Sequence, residues 1–302
     1  HRRRRAGHAA LAMTAIGQRV GIVGFGNIGR AVADNLAEGG FQVTTVDRPS
    51  ASDFPRRAAS AAALARGSDV VIVALATEDA MRSAYLGADG LVAGAHGRLC
   101  VIDMGTFPLP LKQELAGNLA RRGTAMLDCP ISGTPPVVRA RRGVLFISGD
   151  GAAIERCQPI LDAIAPINHR VGAFGAGMAV KLAANLLVLV GTFATAQAML
   201  LGTRSGIDPH LLVEAIGTSF AGSPVFSSRA PLMAEGRYTP APGPAHVMLK
   251  DVKYIEAECA RLGIPAPLLA PTHEWFAKLV AAGRGSDEGA AVYELLKQSA
   301  AG

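Results

Sequence analysis

The 302-residue chain is poor in cysteine, in aromatic side chains and in charge of one sign. Its 4 cysteines, Cys100, Cys129, Cys157 and Cys259, include no close pair. That spacing excludes CxxC redox motifs, paired-cysteine zinc sites and a disulfide framework, and it fits reduced thiols in the cytoplasm. No metal site is expected. Aromatic residues make up 5% of the chain, too few for a platform on which nucleic-acid bases stack. The net charge of +6 suggests a polyanionic partner until its location is read. Arg2, Arg3, Arg4 and Arg5 lie in the first twelve residues, which hold no acid, and the remaining chain carries 26 basic and 24 acidic residues. A body this close to neutral lacks the basic footprint of a nucleic-acid binder. Residues 1–12 read as a basic, disordered tail ahead of Met13 and are set aside from the fold.

One stretch is long and apolar. Between Lys181 and Arg204 lie 22 uncharged residues, enough to cross a bilayer. Asn185, Thr192, Thr195 and Gln197 interrupt it and no second span accompanies it, so the expectation is a buried helix of a soluble protein, with no membrane partner. A helix apolar on all sides needs partners on all sides, which points to a position between domains or in a subunit interface.

From Gln18 the pattern alternates. Val20–Val23 is an apolar strand, Ile28–Glu38 a helix stopped by Gly39-Gly40, and Gln42–Val46 a second strand. Strands at Asp69–Leu75, Leu99–Asp103, Met126–Asp128 and Val144–Ser148 and a helix at Leu111–Arg122 continue it. Such alternation implies a mostly parallel sheet covered on both faces. After about Ala173 the reading is helical: Gly177–Thr203, Pro209–Gly217, Ala245–Leu262, Pro267–Ala282 and Glu288–Gln298, with a proline-rich loop expected from Ser219 to Pro244.

Gly24-Phe25-Gly26-Asn27-Ile28-Gly29 fits GxGxxG between a strand and a helix. The first glycine permits the turn, the second lets a pyrophosphate approach backbone, and the third lets helix and strand pack. Asp47 ends the second strand 23 residues after Gly24, where a carboxylate would accept from ribose hydroxyls. The fold class is therefore α/β: a Rossmann-type doubly wound sheet (residues 13–174), then an all-α domain (175–302) joined to it by a long interdomain helix. Asp47 repels a 2′-phosphate and favours NAD, whereas the neighbouring Arg48 suits NADP; FAD would need β-rich signals that the second half lacks.

Lys181 and Asn185 lie four apart and share a helix face, with Gly177 one turn earlier. A lysine at the mouth of an uncharged helix is either a surface charge at its start or a placed proton donor. The glycine would let a ligand approach the backbone there.

The ordered motifs Gly24–Gly29, Asp103-Met104-Gly105-Thr106, Asp128-Cys129-Pro130-Ile131-Ser132-Gly133, Gly177-Met178-Ala179-Val180-Lys181 with Asn185, and Lys250-Asp251 resemble those of the β-hydroxyacid dehydrogenases, over roughly Arg19 to Leu296. The resemblance implies an NAD(P)-dependent oxidoreductase exchanging a hydride with a small anionic hydroxyacid or the corresponding semialdehyde acid. It implies that Lys181 is the catalytic acid/base, that Ser132, Gly133, Thr134 and Asn185 bind substrate, and that Leu75, Ala76, Thr106 and Lys250 touch the cofactor.

The chain departs from the family at Thr134-Pro135-Pro136, where glycines are usual, and at Ala184, where asparagine is common. The two prolines remove two N–H donors, so anchoring of the substrate carboxylate falls to Ser132, Gly133 and Thr134. An imine reductase-like enzyme and a non-catalytic dinucleotide-binding interaction module of the same fold are the alternatives. Both generally lack the lysine found at position 181.

Overall fold

A computed structural model describes residues 18–46 and 51–300. The basic head, Asp47 and Arg48 lie outside the described residues. The chain divides into two compact units that meet in sequence at Lys181 and Leu182.

The first unit is built on one sheet. Its strands are β1 (Arg19–Val23), β2 (Gln42–Val46), β3 (Arg57–Ala58), β4 (Val70–Val73), β5 (Cys100–Asp103), β6 (Ala125–Asp128), β7 (Ile131–Ser132), β8 (Val144–Ser148) and β9 (Ile167–Gly172). They lie in the order β3-β2-β1-β4-β5-β6-β8-β7, with β9 beside β8. The six strands from β3 to β6 run parallel, whereas β8 is antiparallel to β6 and β7. All four residues of β4 and of β5 are buried. That explains why these strands are continuous apolar runs rather than alternating ones: both faces of a parallel sheet are covered.

Helices α1 (Asn27–Glu38), α2 (Ala61–Gly67), α3 (Glu78–Leu86), α4 (Leu91–Gly94), α5 (Leu109–Ala120), α6 (Pro135–Arg139) and α7 (Gly151–Ile164) belong to this unit. Five of them, all but α1 and α5, lie where the apolar pattern marked no helix, and three of the five, α2, α3 and α7, start at a side-chain cap. Ser60 accepts from the N–H of Ala63, Thr77 from Ala80 and Asp150 from Ala153. Caps of this kind satisfy donors that the first helical turn leaves unpaired. The Asn35 amide, fully buried on α1, donates to the Val138 carbonyl of α6 and ties the two helices together. Pro135 and Pro136 open α6, where missing N–H groups cost nothing because no helical partner exists for them.

The second unit is helical. Helix α8 (Ala176–Arg204) begins in the first unit and continues into the second, followed by α9 (Pro209–Gly217), α10 (Pro224–Glu235), α11 (Ala245–Leu262), α12 (Leu269–Leu279) and α13 (Val292–Ser299). The expected loop between Ser219 and Pro244 contains α10. Its prolines punctuate a helix instead of preventing one: Pro224 sits in the first turn, and Ser223 caps it by accepting from the N–H of Phe226.

Among the described residues α8 alone is long and apolar enough to cross a membrane. Phe193, Ala196 and Met199 are buried, and Phe193 meets Trp275 of α12 at 6.1 Å between ring centroids. Leu187 and Leu201 are 70% and 71% exposed, so the apolar character on that side of α8 is not used within the protomer.

Candidate active site

The glycine turn sits after β1, beside the end of β4, at the point where the strand order reverses direction. An open parallel sheet has a crevice at such a point. Gly24 has φ +91°, and a Cβ on it would overlap the Ala74 carbonyl oxygen; one on Gly29 would overlap the Gly24 carbonyl oxygen. Both positions therefore demand glycine for packing alone. Gly26 differs, because nothing lies within 4 Å of where its Cβ would stand. It is the N-cap of α1, no side chain caps the helix there, and no acidic residue lies in the first turn. Free N–H groups at a helix start beside open space suit a pyrophosphate, so the residues present fit a dinucleotide.

Phe25 is buried, packing edge-on against Phe54 at 5.2 Å with the Arg30 guanidinium 5.2 Å over its ring. Its side chain thus holds the turn and leaves ligand contact to the backbone. Asn27 is exposed and Ile28 half-buried; Leu75 and Thr106 are half-buried and Ala76 exposed. Leu75 and Ala76 follow β4 after Ala74, and Thr106 lies three residues beyond β5, which pairs with β4.

Ser132 ends β7 and is half-buried, Gly133 is exposed with φ +150°, and Thr134 is the N-cap of α6. Arg139, three residues beyond the prolines, is paired with Asp34, so it belongs to a surface ion pair on the side of α1. Lys181 is half-buried, five residues into α8. Asn185 follows one turn later and is buried, with its amide nitrogen donating to Asp251 Oδ2 at 2.8 Å. Lys250 Nζ lies 2.9 Å from Asp251 Oδ1 and 4.9 Å over the Tyr254 ring. Asp251 therefore joins the Asn185 and Lys250 positions within the second unit.

Gly177 serves a different purpose from the one its place suggests. A Cβ there would stand 2.5 Å from the Phe146 carbonyl oxygen and 2.8 Å from that of Asp128. Strand backbone occupies the face that a ligand would need, and the glycine lets α8 start directly against the sheet.

A buried polar cluster underlies this start. Lys112 of α5, Asp103 at the end of β5 and Asp128 at the end of β6 are all fully buried. Lys112 Nζ lies 2.6 Å from Asp128 Oδ1 and 3.6 Å from Asp103 Oδ1. Asp103 accepts from the Tyr85 hydroxyl at 3.3 Å and from the Gly105 N–H at 2.7 Å. Asp128 Oδ2 accepts from the Met178 N–H of α8 at 2.8 Å, and the Ser148 oxygen accepts from the Gly177 N–H at 2.9 Å.

Burial pushes the Asp103 carboxyl above its ordinary range, against the pull of the Lys112 charge. For Lys112 burial acts downward, but the charges of Asp103 and Asp128 more than offset it and the ammonium is stabilised. Burial and the Asp103 charge raise the Tyr85 phenol well above its ordinary value. Sequence reasoning passed over Lys112. The signal was its place in the stripe Lys112, Leu115, Leu119, whose spacing of three and four puts a charge on a buried helix face.

Two outcomes follow. Gly29→Ala destabilises the fold by about 3 kcal/mol through backbone overlap, whereas Gly26→Ala keeps the unfolding free energy within about 1 kcal/mol of the parent and weakens dinucleotide binding roughly tenfold. Urea unfolding and a nucleotide titration separate the two. Second, because the folded-state value for Asp103 is raised, its titration stabilises the native chain fully below the unfolded value near pH 3.8. That contribution is lost as pH rises through the folded value. Asp103→Asn removes this slope, so its stability deficit against the parent is larger at pH 4 than at pH 7; a deficit that grows with pH contradicts the assignment.

Comparison with known proteins supplies the family. Residues 19–190 match the NAD binding domain of 6-phosphogluconate dehydrogenase, and residues 175–296 match the NAD-binding domain of NADP-dependent 3-hydroxyisobutyrate dehydrogenase. The chain is 32% identical to L-threonate dehydrogenase of Cupriavidus necator, over 92% of this chain and 96% of that one. It is 30% identical to the NAD-dependent L-serine dehydrogenase of Pseudomonas aeruginosa, over 68% and 71%. The crystal structure of a 3-hydroxyisobutyrate dehydrogenase from Salmonella typhimurium superposes with a TM-score of 0.83 at 27% identity, over 92% of this chain and 99% of that one. With the glycine turn, the 3-2-1-4-5-6 parallel core and the helical second unit in place, the chain belongs to the 3-hydroxyisobutyrate dehydrogenase family of NAD(P)-dependent hydroxyacid dehydrogenases.

Proposed function

We propose that the chain oxidises a small β-hydroxyacid, or reduces the matching semialdehyde acid, with Lys181 as the acid/base. The observation that carries this reading is the setting of Lys181: the first charge on α8, half-buried, one turn beyond a helix start fixed by buried hydrogen bonds. The bound nicotinamide supplies or accepts the hydride. The chain must then move a proton at the substrate oxygen, which leaves in oxidation and arrives in reduction. A lysine ammonium can donate that proton in the reducing direction, and the amine can accept it in oxidation. Its charge stabilises alkoxide character on the oxygen in either direction.

Ser132, Gly133 and Thr134 are the proposed anchor for the substrate carboxylate. Gly133, at φ +150°, turns the chain between β7 and α6, so backbone and hydroxyl donors at the turn are grouped at one point. The two prolines do not deplete that group, because they occupy the first turn of α6. Threonate, serine and hydroxyisobutyrate, the substrates named for the relatives, share a carboxylate and a hydroxyl on the β-carbon. That shared chemistry supports a β-hydroxyacid as the substrate class. The buried thiols of Cys100, Cys129 and Cys157 support a reducing compartment, the cytoplasm. Exposed Leu187 and Leu201, two heptads apart on α8, support a homodimer or homotetramer.

Lys181→Ala lowers kcat at least a hundredfold, to a small residual rate, while the dinucleotide affinity stays within twofold of the parent. Retention of more than a tenth of the parent kcat, followed by absorbance at 340 nm across a hydroxyacid panel, removes Lys181 from the mechanism. The proposed cofactor is NAD, on the charge of Asp47 against a 2′-phosphate; no nucleic-acid or membrane partner is part of the reading. The ratio of kcat/KM for NAD over NADP is expected above one, and a preference for NADP beyond tenfold reverses the assignment in favour of Arg48.

A further inference from the structure

We propose that Asp128 is a positioning residue that sets the separation between the acid/base and the substrate-carboxylate anchor. The inference rests on the reading of Lys181 and of Ser132–Gly133 given above.

The argument starts from connectivity. Asp128 ends β6, and four residues later the same chain reaches Ser132. Through Oδ2 the same residue accepts the N–H of Met178, in the first turn of α8. Lys181 is three residues beyond Met178, about 4.5 Å along the helix axis at 1.5 Å per residue. One carboxylate thus holds both the segment that delivers the anchor and the helix that delivers the amine.

The carboxylate is itself fixed. Oδ1 is held by Lys112 at 2.6 Å, and the Ser148 hydroxyl lies 3.0 Å from the Asp128 carbonyl oxygen and 3.1 Å from Oδ2. Ser148 also accepts the Gly177 N–H. Asp128, Lys112 and Ser148 are all fully buried, so no water competes for these bonds and each geometry is narrow. A carboxylate at the start of α8 is also favoured by the partial positive charge there. Gly177 tightens the arrangement, since any side chain would push α8 away from the Asp128 and Phe146 carbonyls. A shift of about 1 Å between reacting groups is enough to cost a large part of a rate.

The test is a double-mutant cycle on the full-length enzyme with its cofactor, using Asp128→Asn in the parent and in the Lys181→Ala background. Rates are expressed per cofactor-binding site, so unfolded protein does not count. Expected in the parent is a fall in kcat of at least tenfold together with a rise in hydroxyacid KM, at unchanged dinucleotide affinity. Expected in the Lys181→Ala background is a loss of residual kcat below twofold, because the placement of an absent amine has no consequence, while the rise in KM persists.

A merely structural role lowers kcat by the same factor in both backgrounds, and that result overturns the proposal. So does a parent-like kcat and KM for Asp128→Asn when Lys181→Ala has lost more than nine-tenths of kcat, an outcome that leaves the reading of Lys181 intact. An active Lys181→Ala enzyme instead defeats that reading, and this inference with it. If Asp128→Asn fails to fold, Lys112→Met with Asp128→Asn removes one charge of each sign and carries the same cycle.

Discussion

The ammonium of Lys112, shared between Asp103 and Asp128, is the constraint on which the rest of the first unit depends. Three ionisable groups with no exposure carry, when charged, a desolvation cost of several kcal/mol each. Coulomb attraction alone does not settle that cost in a protein interior. The added hydrogen bonds from Tyr85, Gly105, Met178 and Ser148 tip the balance by satisfying the remaining carboxylate lone pairs. The cluster also joins elements distant in sequence. It links α3 through Tyr85, the ends of β5 and β6, α5 through Lys112, and the start of α8. An apolar core of the same volume would match its stability, but it would not fix one register between a strand end and a helix start. Geometric definition of that junction is the return on the desolvation cost.

Much of the fold was legible because its signals are local or periodic. The glycine turn, the buried runs at Val70–Val73 and Cys100–Asp103 and the boundaries of α9 and α11 follow from spacing and from stop residues. What escaped was set by tertiary partners. β9 is a largely exposed strand whose pairing with β8 defines it, and two-residue strands such as β3 have no period to detect. The helix α10 was hidden by its own prolines, although the cap at Ser223 was present in the sequence. For the site, Lys181, Ser132 and the glycines were readable as motif members. The roles of Lys112, Ser148 and Gly177 were not, because each depends on an atom between 16 and 29 residues away in the chain or on backbone of another strand. Gly177 is instructive: its position suggested access for a ligand, and the structure fills that access with the Phe146 and Asp128 carbonyls.

The starts of α1 and α8 answer the same electrostatic problem in opposite ways. Each helix presents unpaired N–H groups and a partial positive charge at its first turn. At α8 the protein supplies its own anion, Asp128, together with the Ser148 oxygen, and burial seals the site. At α1 the cap is a glycine without a side chain, the first turn holds no acid, and the space beside Gly26 is open. Only one of the two can therefore accept an outside anion, and it is the one at the reversal of strand order beside Leu75. Of the two, the start of α1 is the one whose residues fit a dinucleotide diphosphate. At α8 an outside anion would have to displace a buried carboxylate that is paired with Lys112 and accepts the Met178 N–H. The bonds that close the start of α8 to an outside anion, from Met178 N–H to Asp128 and from Gly177 N–H to Ser148, are also the ones that fix this helix start against the sheet.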